Sequence, residues 1–495
     1  MAVSPHPARV LQAARAGGFA ARRSATAARG PEVTPANRRL RRAALHRTIG
    51  DMGGTGTGGV SAGVEERSRL RDMGRSLRHR NFQLFFSGQL ISLVGTWMQN
   101  IAQAWLVYRM TGSSLLLGLT GFAGQFPVFM FGPLGGMTAD RWNRRKIVIT
   151  TQTAALILAF VLAILTLLHR VTVSEVILLA ALLGVVNAFD LPARQAFLVE
   201  MVGREDLMNA IALNSSMFNG ARIIGPSLAG ILVASIGEGW CFFANGASYI
   251  AVIIGLILMR MPARQPEHEM ASPLQRIAEG FRFVRQTAPI RAVLLLLGLV
   301  SLVGMPYTVL MPVFAAQILH GNARTLGVLG AATGLGAVSG ALMLASRRGV
   351  HGLGKWVAVA CGSFGAFLIL FAFSRWYLLS VLMLVPVGFS MMTQMTSSNT
   401  LIQAMVPDRL RGRIMAVYSM MFMGMAPFGA LLAGAVADRI GAPRTVAIGG
   451  ALAMAGAIVF ARHLPKIRVE ARELIVAQGI ALDEPPEQVP SRLEP

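Results

Sequence analysis

Charge is scarce in this sequence. Only 14% of its 495 residues are Asp, Glu, Lys or Arg and 54% are hydrophobic, where a soluble domain carries about 25% charged residues. A soluble chain of this length could not cover its surface with so few polar groups. Cysteine is scarcer still. Cys241 and Cys361 both fall in apolar segments and read as small buried side chains rather than a disulfide or a metal pair. The eight histidines, at 6, 46, 79, 169, 268, 320, 351 and 463, keep to tails, loops and the ends of apolar runs. A His–carboxylate cluster inside a bilayer therefore lacks its parts, and a membrane-embedded enzyme is not expected. No GxxxxGK followed by Ser or Thr occurs, and GLGKW at 352–356 lacks that spacing, so an ATP-driven pump is excluded as well. Neither a cofactor nor a metal is expected.

Lysine is almost missing: Lys146, Lys355 and Lys466 stand against 43 arginines, a bias that points to a GC-rich bacterial genome. The formal charge of +23 invites a nucleic-acid reading, but sixteen arginines lie in the first 80 residues against five acids (Glu32, Asp51, Glu65, Glu66 and Asp72). Rich in Ala, Gly and Arg and without apolar periodicity, residues 1–78 read as a disordered basic segment. They hold no apolar core of a secretory signal. Met73, opening MGRSLRHRNFQLFF, is a natural start. What precedes it is either an over-extended reading frame or a tail for anionic lipid. No nucleic-acid partner is expected.

What the chain has in abundance is apolar runs near the 20 or so residues that cross a bilayer. They lie near 84–108, 114–138, 147–168, 175–199, 209–236 and 240–260, then near 292–318, 325–346, 355–374, 376–403, 413–437 and 445–462. The fold class is all-α: a polytopic membrane protein with twelve transmembrane helices in two six-helix, pseudo-symmetric bundles, 79–260 and 292–463. Seventeen basic residues, among them Arg141, Arg144, Arg145, Lys146, Arg204, Arg347 and Arg413, fall in loops on one side. The opposite loops hold Arg170, Arg324, Arg375, Arg439 and Arg444. Positive residues stay inside, so both termini, including a tail over 464–495, are expected in the cytoplasm of a bacterial inner-membrane protein. Between the bundles, 261–291 contains SPLQRIAEGFRFVRQ. Ser272 is a plausible cap, Pro273 a first helical residue, and Leu274, Ile277, Phe281 and Val284 share one face. The linker reads as an amphipathic helix at the interface.

The halves repeat each other. At an offset of 204, residues 201–237 face 405–441 without a gap and thirteen of 37 positions are identical, including Met217, Phe218, Gly220, Gly225, Ala229 and Gly230. An offset of 209 brings SLVG at 92 onto SLVG at 301, Gly112 onto Gly321 and Gly118 onto Gly327. Two similar bundles around a midplane site can rock to expose it alternately to either side.

One turn spends charge freely. GGMTADRWNRRK, residues 135–146, sits between uncharged runs of thirty and twenty-two residues. With Gly136, Asp140, Arg141, Arg145 and Lys146 it resembles the loop G-x-x-x-D-R/K-x-G-x-R/K-R/K between spans two and three of the major facilitator superfamily. The resemblance covers about residues 75–465. Asn143 replaces the inner glycine and, being tolerated in the left-handed region, is expected to keep the turn. The resemblance implies that this loop locks the outward-open state, with Asp140 facing the N-terminus of span eleven, where a carboxylate is favoured. Topological anchoring explains the basic residues equally well but not the acid. DLPARQAFLVEMV, NGARIIGPSLAG and GFRFVRQTAPIR resemble the superfamily's drug and siderophore exporter branch. Gly220, Gly225, Pro226 and Gly230 resemble its antiporter motif with one extra residue between the first two glycines, and small residues permit close helix contact in any case.

Charges within the spans mark function or structural pairing. Asp190 and Arg222 each sit about thirteen residues into their spans, and a hairpin would bring them level. Arg194 could pair with Asp190 along one helix face. The trio is a buried ion pair, a proton-coupling site or a substrate contact. Pocket candidates are Gln99, Asn100, Gln103, Asn214, Asn219, Tyr307, Thr308, Gln394 and Asn399, with ten methionines between 383 and 425 as adaptable lining or plain filler. The expected function is secondary active export of an amphipathic, siderophore- or drug-like small molecule by alternating access, with proton antiport, by a monomer whose partners are cargo, protons and membrane lipids. A lipid or lysophospholipid flippase of the same fold remains the alternative.

Overall fold

Every apolar run becomes a helix in the computed structural model, which describes residues 75–203, 205–260, 273–347, 349 and 352–478. The expectations for residues 1–74, for Ser272 and for 479–495 lie outside the described residues. Spans one to six are Arg80–Thr111, Ser114–Arg141, Arg144–Leu167, Val173–Val202, Leu207–Ile236 and Glu238–Leu258. The linker helix is Pro273–Gln286. Spans seven to twelve are Ala288–Ile318, Ala323–Ala345, Leu353–Phe373, Tyr377–Met405, Asp408–Ile440 and Ala442–Ala477. Eleven of the twelve are long and apolar enough to cross a membrane. Span one has the length, 32 residues, but Gln83, Gln89, Gln99, Asn100 and Gln103 dilute its hydropathy.

Local chemistry ends the helices where the charges and glycines fall. Gly112 closes span one at φ 62°, a conformation glycine adopts without steric cost. Ser113 then caps span two by accepting from the Leu116 amide at 3.3 Å. Thr172 and Glu175 form a capping box at the start of span four, and Asn322 with Thr325 does so at span eight. Prolines 127, 133, 192, 226, 312, 386 and 465 lie inside helices, as neighbouring helices permit in a membrane bundle. Two boundaries differ from the sequence reading. Arg75–Arg78 is a short 3-10 turn, so structure begins before residue 79. The last helix runs on to Ala477, because Leu464, Ile467, Ala471 and Ile475 keep a helical apolar face, and the latter two are buried.

Packing repeats with the sequence. In the first half, span one packs on five and six, two on four, and three on four and six. In the second half, seven packs on eleven and twelve, eight on ten, and nine on ten and twelve. Each pair reappears six spans later. Outer faces stay apolar and exposed, as at Ile157, Leu178, Ile254, Leu295 and Val459, where lipid replaces water as the solvent. Between the halves the main contacts are span two on eleven and span five on eight. The end of the molecule bearing 140–146 is called the basic face below, and its opposite the far face.

Candidate functional site

The two inter-half contacts are glycine seams in the far-face half of the molecule. A Cβ on Gly118 would lie 2.6 Å from the Ala430 carbonyl oxygen and 2.9 Å from the Gly434 Cα, and one on Gly434 would lie 2.6 Å from the Ser114 oxygen. Backbones in contact leave no room for a side chain. Across the pseudo-twofold, a Cβ on Gly327 would lie 2.8 Å from the Gly230 Cα. The Ser113 hydroxyl, donating to Asp438 at 3.3 Å, ties the far end of the first seam. Deeper in, Phe428 of span eleven meets Phe122, Phe126 and Phe129 of span two edge-on at 6.0 to 6.2 Å.

Towards the basic face the halves part. A cavity of about 890 Å³ lies between span five, span eight and span ten, and reaches the basic face at Arg347, Gly349 and Leu353. Ser215, Ser216 and Asn219 line it from one half, Met392, Thr396 and Thr400 from the other. Small hydroxyls and methionine sulfur make a wall with few fixed demands. The inner limit is at Ile223, Val338 and Met392. The molecule is closed at the far face and open at the basic one.

The charged turn lies at the same face. Asp140 is 70% exposed and its nearest cation is Arg144, at 3.8 Å. Arg144 also donates to the Ala196 carbonyl at 2.9 Å and to Glu200 at 3.0 Å, fastening span three to span four. Arg145 donates to the carbonyls of Leu256 and Ile257 at 2.7 and 2.8 Å, closing the end of span six. Arg141 and Lys146 face outward. Asn143 corrects the expectation of a left-handed turn: at φ −65° it caps span three, accepting from the Lys146 amide at 3.1 Å. Gly136 has open space at its Cβ position; its neighbour Gly135 is the residue pressed against the Ala188 backbone.

Asp190 and Arg222 do not pair. The Asp190 carboxylate, 1% exposed, binds Arg194 at 2.6 Å and accepts from Thr151 at 2.8 Å and Gln152 at 3.0 Å. Arg194 donates onward to Gln89 at 3.0 Å. The cluster joins spans four, three and one inside the first half. Arg222 lies elsewhere, 5.8 Å from the Trp97 ring centroid and 3.9 Å from the Met391 sulfur. Equal depth did not imply contact, since span four packs on two and three while span five packs on one and eight.

The remaining candidates divide. Asn219 lines the cavity. Gln99 does not: it is 4% exposed and accepts from Asn245 of span six at 2.7 Å. Asn100 is exposed, while Gln103 and Asn214 are half-buried outside the cavity wall. Tyr307 and Gln394 are each 2% exposed, and the Tyr307 hydroxyl and Gln394 Nε2 have no hydrogen-bond partner. Thr308 turns back on the Met305 carbonyl, and Asn399 accepts from Gln403. Gly225, Pro226 and Gly230 make close contacts with spans one and eight, whereas Gly220 faces the cavity with nothing near its Cβ position. The sequence reading missed Ser215, Ser216, Thr396 and Thr400, whose hydroxyls look like ordinary helix residues until a neighbouring helix is absent. It also missed Gln89, Thr151 and Gln152.

At the start of span five, Asp206 accepts from His79 and pairs with Arg75, both at 2.7 Å. The His79 hydrogen bond, backed by the charges of Arg75, His79 and Arg78 and opposed by some desolvation, holds its carboxyl below the usual carboxylate range.

The family described as transmembrane secretion effector matches residues 75–487. The staphyloferrin A transporter of Staphylococcus aureus is 25% identical over 392 residues, covering 79% of this chain and 98% of that protein. The enterobactin exporter EntS of Salmonella typhimurium is 27% identical over 374 residues, covering 75% and 89%. Among solved structures, nucleoside transporter NupG superimposes with a TM-score of 0.62 at 15% identity, over 77% of this chain and 98% of that one. A bacterial homolog of the human lysosomal transporter Spinster, inward-facing and unoccupied, gives 0.55 at 16%, over 81% and 98%. At such identities the structures speak for the fold alone. Seams, cavity, repeat and matched family agree: this chain is a multi-pass membrane transporter, not an enzyme, and it belongs to the transmembrane secretion effector family of the major facilitator superfamily.

Proposed function

We propose that the protein exports a siderophore-like, amphipathic small molecule across the bacterial inner membrane by alternating access. The basic face is the cytoplasmic one, by the rule that positive loops stay inside, and both termini lie on that side. The observation that carries the reading is the cavity open to the basic face beneath two glycine seams. It is the loading state of an exporter. The exposed Asp140 fits an unlatched gate, which would latch on span eleven when the cavity turns outward. The naming of two similar proteins for staphyloferrin A and enterobactin supports the cargo class.

Export exchanges with protons at Asp190. Among the described residues it is the carboxylate buried far from the ends of any span, 17 residues after Val173 and 12 before Val202. Its carboxylate holds Arg194 of the same helix at 2.6 Å and is bound by Thr151 and Gln152 of span three, so rearranging the site requires movement of spans three and four. The test uses energised inverted vesicles and labelled staphyloferrin A or enterobactin. Uptake that a protonophore abolishes and that Asp190→Asn removes, with protein level unchanged, is the expected result. Transport of lysophospholipid with indifference to both siderophores would refute the cargo; full activity of Asp190→Asn would refute the coupling site.

A further inference from the structure

Span five places Arg222 15 residues from Leu207 and 14 from Ile236, with roughly 20 Å of helix on either side at 1.5 Å per residue. That is the middle of the membrane. Trp97 and Met391 also lie near the middles of their helices. In sequence Met391 precedes cavity-lining Met392 and Arg222 precedes Ile223 at the cavity's inner limit, so both lie just behind the cavity wall rather than in it. Among the described residues no carboxylate lies within 4 Å of Arg222. Its contacts are a ring face and a thioether, and neither carries a formal negative charge. The midplane carboxylate, Asp190, is engaged by Arg194.

The surroundings are short of acceptors in general. Tyr307 of span seven is an electrostatic neighbour of Arg222. Its hydroxyl makes no hydrogen bond within 3.5 Å; the Thr333 hydroxyl, its nearby polar neighbour, donates to the Leu329 carbonyl at 3.1 Å. Gln394, one turn beyond Met391 on the same face, has an unpartnered amide nitrogen. A guanidinium presents five donors, a phenol one and an amide two. A native core pairs such groups; here donors on spans five, seven and ten, from both halves, lie near mid-membrane without their acceptors.

We infer that Arg222, with Tyr307 and Gln394, receives an anionic oxygen group of the cargo, a carboxylate or an ionised phenol, as the counter-ion missing from the midplane. The inference rests on the reading of the cavity as the cargo path, and it narrows the cargo to anions. Arg222 comes from the first half and its two companions from the second, so a bound anion would bridge the surfaces that must separate.

The test measures binding to the full-length protein in nanodiscs of zwitterionic lipid, using matched acids and esters. One pair is staphyloferrin A and its permethyl ester; the other, of unrelated skeleton, is cholate and methyl cholate. Wild type should prefer at least one acid over its ester by about tenfold or more, as hydrogen bonds to a charged group imply. Arg222→Gln should erase that preference by weakening the acid alone, and retained ester binding reports that the variant is folded. Arg222→Lys should restore part of the preference, and it stands in if the glutamine variant fails to fold. A preference for cholate with indifference to staphyloferrin A would sink the siderophore reading and keep the anion site. Siderophore binding with no acid-over-ester preference, or with one that Arg222→Gln leaves intact, would overturn the anion site and keep the siderophore reading. No preference in either pair, through lack of binding or otherwise, overturns it as well.

Discussion

The seam between spans two and eleven and the seam between spans five and eight are copies of one another, but only one of them is reinforced. Gly434 aligns with Gly230 at an offset of 204, and Gly118 with Gly327 at 209; the structure brings Gly118 against Gly434 and Gly327 against Gly230. Around this shared contact the halves diverge. Phe428 and three phenylalanines of span two thicken the first seam, while Phe428 aligns with Ile224, which has no ring to offer the second; the two are similarly exposed, at 39% and 47%. The second seam instead carries Arg222, whose backbone oxygen would lie 2.9 Å from a Cβ on Gly334. One seam is a bolt of apolar surface; the other passes beside the cargo path.

The largest effect should come from wedging either seam. Gly118→Leu and Gly327→Leu insert a branched side chain between backbones in contact, and overpacking of that kind costs roughly 1–3 kcal/mol. Only the state closed at the far face bears that cost, so the balance between states should shift by about 5- to 150-fold. A cysteine replacing Asn219, labelled from the basic face with an impermeant maleimide, reads the shift; Cys241 and Cys361 are both buried and add little background. Labelling should fall in both variants. A fall in one alone would show that the seams do not open together.

Phe428→Ala should act in the same direction but on one seam only. Each aromatic pair is worth about 0.5–1.5 kcal/mol beyond its area. Losing three edge contacts should loosen the far face and slow transport by about tenfold or more on that scale. Ile224→Ala, at the equivalent place, should stay within about 0.5 kcal/mol of wild type, because it has no such ring contacts to lose. Equal effects would mean that the phenylalanines are filler. Alanine at the glycines themselves makes a finer test. At Gly434 the added Cβ meets the Ser114 oxygen at 2.6 Å and the Gly118 Cα at 2.8 Å; at Gly230 its nearest neighbours are at 3.0 and 3.1 Å. Gly434→Ala should cost transport several-fold more than Gly230→Ala, since a shift of a few tenths of an ångström accommodates the latter.

Much of this fold was legible because a bilayer enforces it. Length and hydropathy mark the spans, charge marks the faces, and the internal repeat had already aligned the seam glycines before any contact was known. What failed was azimuth. Asp190 and Arg222 were set level by counting, and counting gives depth along an axis but not the direction in which a side chain leaves it. Gln99 failed likewise: a polar residue in a span points as readily to Asn245 of a neighbouring helix as to a cavity. Asn143 failed because one residue type serves both left-handed turns and helix caps, and only the backbone angle distinguishes them.

The comparison extends to the roots of the seam helices, where the expected effect is smallest. Span five begins at Asp206, held by Arg75 and His79 from the turn that precedes the first half. Span eleven begins near Arg413, held by Glu279 of the linker helix that precedes the second. Each half thus pins its seam helix with its own leading segment, with the charges reversed. The Asp206 carboxyl is held below its usual range, so the anion is the form the fold favours. Its contribution is fully present above the ordinary carboxylate range and is lost as pH falls through the depressed value. Amide exchange over 205–212 should therefore keep its protection, relative to 408–415, on mild acidification, and lose it only in stronger acid than a free carboxylate would need. Asp206→Asn should remove that pH dependence with a small loss of protection at neutral pH and none at span eleven. If protection at both roots falls together, the linker and the leading turn are not independent pins, and the seams share a single foundation on the basic face.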